Sequence, residues 1–110
     1  ADRLNLIWYQ RSVDTMLGLP FNIASYGLLL HLLAREANLR EGSLIGQLGD
    51  VHIYQNHQAG ALAQLERENE LSALPVICTQ ADCDIFSWEA GKTTLSGYHP
   101  LAALNFPIAV

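Results

Sequence analysis

The chain has 110 residues, half of them hydrophobic and 15% charged, with a formal net charge of −5 and a pI near 5.1. That length supports one domain, or a piece of one. The acidic balance excludes general nucleic-acid binding, which needs basic patches, but leaves room for a mononucleotide held by one or two local arginines.

Taken in order, Leu4 to Asp14 reads as a long strand, because Leu4, Leu6, Ile7, Trp8 and Tyr9 are apolar and β-favouring. Thr15 to Leu19 reads as a turn, with Gly18 as the expected positive-φ residue. Pro20 to Asn38 reads as the longest helix. Ile23, Tyr26, Gly27, Leu30, Leu33, Ala34 and Ala37 follow helical spacing, and Leu28, Leu29 and Leu32 add apolar surface on the other side. A helix apolar nearly all round is expected to be central and buried on most faces. Asn38 and Gly42 are its candidate stop signals.

Ser43 to Tyr54 reads as a second strand, with Gly46 and Gly49 marking a bulge or a close backbone approach. Gln55 to Asn69 reads as an amphipathic surface helix: Ala59, Leu62, Ala63 and Leu65 are apolar, while Glu66, Arg67, Glu68 and Glu70 are charged. A loop over Ser72 to Pro75 leads into a strand from Pro75 to Thr79. Asp82 to Lys92 reads as a surface excursion around Phe86 and Trp88, Thr93 to Tyr98 as a final strand, and His99 to Val110 as an irregular tail with two prolines.

Two cysteines, Cys78 and Cys83, make no disulfide framework, and their C-x4-C spacing is a poor zinc signature. No metal site is expected, and the thiols fit a reduced, cytoplasmic setting. The N-terminus does not read as a signal peptide. The apolar run from Gly27 to Ala34 is interrupted by His31 and is too short to span a bilayer.

The chemistry gathers where the first strand meets the long helix. Arg11 offers a planar fork of donors suited to phosphate, and Ser12 adds a hydroxyl beside it. Asn22, in the first helical turn, pairs one acceptor with one donor group and can read a heterocycle. Asp14 adds a carboxylate to the same junction. Each also has a structural reading: an Arg11–Asp14 ion pair tying down the strand end, and Asn22 as a helix N-terminal polar residue. His52 and Tyr54 are two apart on a strand and so share a face, with Asp50. His31, His57 and His99 fit no ligand triad and read as structural or surface residues.

The segments YQRSVD (Tyr9–Asp14), LGLPFNIASY (Leu17–Tyr26) and GDVHIY (Gly49–Tyr54) closely resemble the thymidylate synthase family in order and spacing. The terminal PIAV resembles the family's C-terminal tail. The resemblance covers most of the chain and is weakest from about Pro75 to Lys92. It corresponds to the half that follows the family's catalytic cysteine.

The resemblance implies an α/β fold with a mixed sheet that dimerises back to back. It implies transfer of a one-carbon unit from 5,10-methylenetetrahydrofolate to C5 of dUMP. By its implication, Arg11 and Ser12 contact the phosphate, Asn22 reads the uracil, and His52 and Tyr54 bind the deoxyribose 3′-hydroxyl. Asp14, Gly18, Phe21 and the tail residue Ala109 belong to the folate pocket. Relatives acting on cytosine nucleotides tend to have aspartate at the Asn22 position. Neither Cys78 nor Cys83 resembles the family nucleophile, so no catalytic residue is expected in this chain. The tail departs from the family pattern, with Asn105 and Phe106 where a lysine precedes the terminal residues. The expected partners are dUMP, folate, the missing N-terminal half and a second subunit. The high apolar content fits surface covered by those last two. The alternatives are a dUMP hydroxymethylase of the same superfamily, and a non-catalytic fragment that binds nucleotide or completes a dimer.

Overall fold

The computed structural model describes residues 2–67 and 73–108. They form two compact units, one made of residues up to 66 with the segment from 104, and the other of residues 67–103. Helices and small sheets combine in an α/β arrangement, the class the sequence implies.

The first unit is built on a βαβ element. Strand β1 (Arg3–Asp14) leads into helix α1 (Leu19–Glu36), and β2 (Arg40–His52) returns parallel to β1. Antiparallel return is impossible here because the helix carries the chain back before β2 begins. In register, Trp8 lies opposite Gly46, Ser12 opposite Asp50 and Asp14 opposite His52. Helix α1 packs against both strands.

Side-chain alternation sorts the sheet into two faces. Trp8 is buried on the helix side, where its ring stacks on Tyr26 at 5.1 Å between centroids. Gly46 makes room for it: a Cβ at that position would stand 2.6 Å from the indole. On the outer face Ile7, Tyr9 and Ile45 are exposed, Tyr9 to 81%, while Val13, further along the same face, is fully buried.

Helix α1 is less enclosed than its all-round apolar pattern implies. Leu30, Leu32 and Ala34 are buried, but Phe21, Ile23 and Leu29 are exposed. The helix buries its C-terminal half against two strands, and those strands are too few to cover its other sides. It ends at Asn38, whose φ of 55° is the left-handed stop expected there. Leu39 N–H donates to the Ala34 carbonyl and Asn38 N–H to that of Arg35, the paired bonds of a Schellman ending. Gly42, the other expected stop, instead lies within β2. It is small because the Asn5 side chain crosses it to accept from Ser43 N–H at 2.7 Å, where the β1–β2 register shifts.

After β2 a 3₁₀ turn (Gln55–His57) opens helix α2 (Gln58–Leu65). The predicted continuation to Asn69, with Glu68 and Glu70, lies outside the described residues, as does Ser72. In the second unit β3 (Val76–Thr79) pairs antiparallel with β4 (Thr93–Ser96). Thr79 and Thr93 hydroxyls meet at 2.7 Å, and Trp88 Nε1–H donates to Thr93 Oγ1 at 2.9 Å. The excursion between these strands is tied by Asp84, whose Oδ1 accepts from the backbone of Phe86 and Ser87. Those bonds, from Ser87 first, hold the Asp84 carboxyl below its ordinary range. Among the described residues, no helix is long and apolar enough to cross a membrane.

Candidate functional site

The β1–α1 junction is closed by its own aspartate. Asp14 Oδ1 accepts from the backbone N–H groups of Met16 and Leu17, both at 3.2 Å. Its carbonyl accepts from Gly18 N–H at 3.0 Å, and the Gly18 carbonyl then accepts from Asn22 N–H at 3.0 Å. An aspartate that bonds the backbone two and three residues on is a natural turn former. One carboxylate oxygen is therefore committed to the turn.

Gly18 does not occupy the positive-φ conformation expected of it; its φ is −103°. The need for glycine there is spatial. A Cβ would stand 3.0 Å from the Asp14 carbonyl oxygen and 3.5 Å from Asn22 Oδ1. The turn brings Asp14 and Asn22 together across a residue with no side chain.

Asn22 is oriented by a residue outside the candidates named from the sequence. Gln10 Nε2–H donates to Asn22 Oδ1 at 3.0 Å and also to the Ser12 carbonyl at 3.1 Å. Gln10 Oε1 in turn accepts from Trp8 Nε1–H at 3.2 Å. A relay thus runs from the buried indole to the helix amide. The signal was available in the period-two pattern: Trp8, Gln10, Ser12 and Asp14 share the helix-facing side of β1.

The parallel register sets His52 beside Asp14, and Thr15 N–H donates to the His52 carbonyl at 3.1 Å. His52 Nδ1 lies 3.1 Å from the Asp50 carbonyl, and its ring meets Tyr54 edge-on at 5.1 Å. Gln10, Ser12, Asp14, Asp50 and His52 therefore line one face of the strand pair, and Asn22 reaches it from the helix. Phe21, in the first turn of α1, is 70% exposed at the same junction.

Arg11 is placed differently. It leaves β1 on the outer face, opposite to Ser12. It lines a shallow cleft of about 440 Å³ with Tyr9, Gln10, Gln47, Leu48 and Gly49. It makes no ion pair with Asp14, so the strand-end salt bridge that the residues alone allowed does not form. Ala109 lies outside the described residues.

One further residue was underrated. His57 is fully buried. Its Nδ1 faces Asp14 Oδ1 at 3.9 Å, so a histidine read as structural or surface belongs to the neighbourhood of the site.

The family model described as thymidylate synthase matches residues 1–110. A thymidylate synthase from Listeria innocua is 44% identical over 109 residues, which is 98% of this chain and 34% of the relative. One from Coxiella burnetii is 44% identical over 102 residues, 92% of this chain and 38% of the relative. The chain thus spans about a third of the length of these relatives. With a family match along its whole length, the chain belongs to the thymidylate synthase family.

Proposed function

We propose that this chain carries the part of a thymidylate synthase that binds dUMP and the folate co-substrate, in a protein that converts dUMP to dTMP. The observation that carries this reading is the Gln10–Asn22 hydrogen bond. An amide oxygen has two lone pairs. Gln10 uses one and leaves the second for the uracil N3–H, while Nδ2 donates to O4. A carbonyl next to an imide N–H is the pattern this amide complements.

Ser12 and Arg11 hold the phosphate. They leave β1 on opposite faces, so the anion they share sits at the strand edge rather than over one face. Arg11 is on the side of exposed Ile7, Tyr9 and Ile45, an apolar face suited to back-to-back dimerisation. A second subunit seated there could add charge to the same phosphate. His52 and Tyr54 bond the 3′-hydroxyl of the sugar.

The fit to a reduced folate rests on Asp14 and its surroundings. Its Oδ1 is held by two backbone amides, and its side chain is 26% exposed. The remaining oxygen is a fixed acceptor for the amino-pyrimidine edge of a pterin, and exposed Phe21 offers a ring surface beside it. When bound, 5,10-methylenetetrahydrofolate supplies the one-carbon unit and then a hydride. This chain's own residues bind and orient. Asn22 and Ser12 fix the nucleotide, and Asp14 orients the pterin so that the reacting carbons meet, which is catalysis by positioning. Closure of the C-terminal segment over the site would exclude water. The thiolate that adds to C6 of the pyrimidine comes from outside these 110 residues.

The test is calorimetric titration of the complete protein containing this chain with dUMP, dCMP and deoxyuridine. The reading expects dUMP to bind tightest. Equal affinity for all three, or none for dUMP, rejects it.

A further inference from the structure

His57 is a buried group that the proposed chemistry does not use. It sits in the 3₁₀ turn after β2 with no solvent exposure. Nε2–H donates to the Pro107 carbonyl at 2.5 Å. The ring meets Tyr54 edge-on at 5.6 Å and Phe106 edge-on at 5.4 Å. Nδ1 is buried without a hydrogen bond among the described residues and faces Asp14 Oδ1 at 3.9 Å. One imidazole therefore touches the terminal segment, the Tyr54 ring, and the aspartate that closes the β1–α1 turn.

A buried polar atom left without a partner is costly. Such atoms persist where the surroundings hold them for another purpose. Here Nδ1 stands about 1 Å beyond hydrogen-bond length from the carboxylate. With Nε2 donating to Pro107, Nδ1 of a neutral ring only accepts, as the carboxylate does, so the imidazole bears on the carboxylate through packing rather than through a bond. The seat of the terminal segment is narrow. Phe106 lies against Gly60, where a Cβ would stand 2.5 Å from its ring. Displacing Phe106 or Pro107 moves the imidazole, and the imidazole is aimed at Asp14.

We infer that His57 is a positioning residue that couples the seating of the C-terminal segment to the placement of the Asp14 carboxylate. The inference rests on the proposed folate role of Asp14 for its functional consequence, but not for the coupling itself. The coupling acts on the folate side of the site. The nucleotide side is reached through the Tyr54 ring alone; the phosphate and base contacts of Arg11, Ser12 and Asn22 are not among the contacts of His57.

The test uses the complete protein and two measurements. Without ligand, hydrogen exchange is followed in the segment 104–108 and in the turn amides of Met16, Leu17 and Gly18. His57→Leu is expected to lower protection about tenfold in both, within the usual range of coupling between sites, while the β1–β2 ladder keeps its protection. His57→Gln, which can still donate toward the Pro107 carbonyl, restores part of the protection in 104–108. Phe106→Leu keeps the histidine and is expected to loosen the Met16–Gly18 turn, 88 or more residues away in sequence. Loss in one segment only, equal loss across the ladder, or a turn that ignores Phe106→Leu overturns the coupling.

With ligand, His57→Leu is expected to raise KM for methylenetetrahydrofolate about tenfold, with a smaller loss of dUMP affinity transmitted through Tyr54. Equal losses for both ligands make the histidine merely structural. Should the parent protein fail to bind dUMP, the functional reading falls, and the exchange measurement still decides the coupling.

Discussion

Gln10 Nε2 donates to Asn22 Oδ1 across the β1–α1 junction at 3.0 Å, and this contact fixes which end of the Asn22 amide faces outward. Removing the donor with Gln10→Leu leaves the amide free to rotate, and a rotated amide presents donor for acceptor. We expect dUMP affinity to fall by about 1–3 kcal/mol, the usual cost of unpairing a buried polar group. Titration of the variant checks it, and an unchanged Kd removes the orienting role.

Asn22→Asp keeps the acceptor for Gln10 but loses the donor that meets O4. A carboxylate at this place complements an amino group, and the preference should shift from dUMP toward dCMP. The ratio of the two dissociation constants is the readout. A ratio that stays with dUMP shows that another group reads the base.

Arg11 has a guanidinium on the outer face and no ion pair with Asp14. Arg11→Ala should weaken dUMP by about 1.5–3 kcal/mol, the worth of a charge-assisted hydrogen bond, and leave deoxyuridine almost unaffected. Equal losses for nucleotide and nucleoside would falsify the phosphate role.

Glu41 gives a prediction about stability alone. Its carboxyl is held below the ordinary value of 4.5, first by the hydrogen bond from His31 and then by its own backbone; Nδ1 and Oε1 are 2.6 Å apart. A carboxyl whose folded pKa is depressed contributes stability above its unfolded pKa and loses it as pH falls through the folded one. Glu41→Gln should therefore be less stable than the parent at neutral pH. The gap should close as pH falls below about 4.5. Urea titrations at several pH values check the sign, and a gap that widens in acid contradicts it.

Gly46 faces the Trp8 indole, where a Cβ would stand 2.6 Å away. Gly46→Ala pushes the ring toward Tyr26 and strains the relay to Gln10. Overpacking of this kind costs about 1–3 kcal/mol. Thermal unfolding should register the loss, and a variant as stable as the parent would mean that the indole has room to move.

Much of this was legible in residue pattern. The β-favouring run before Asp14, the first-turn Pro20 and the stop at Asn38 place β1 and α1 to within a few residues, because local backbone preferences act there without help. The motifs YQRSVD and LGLPFNIASY place Ser12, Asp14 and Asn22 at one junction for the same reason. What escaped depends on contacts distant in sequence. Gly18 serves space between Asp14 and Asn22 rather than a positive φ, and only the folded turn reveals that. His57 owes its burial to Phe106 and Pro107, about fifty residues on, so no local pattern could distinguish it from a surface histidine. The burial of α1 was overread because apolar pattern states what a helix can bury, not what neighbours are present to cover it.

The most direct measurement is the folate product formed by the complete protein given dUMP and methylenetetrahydrofolate. The proposed reaction spends the folate's hydride on the transferred carbon, so dihydrofolate should accumulate in step with dTMP. Tetrahydrofolate with a hydroxymethylated nucleotide, or no turnover that depends on dUMP, would contradict it.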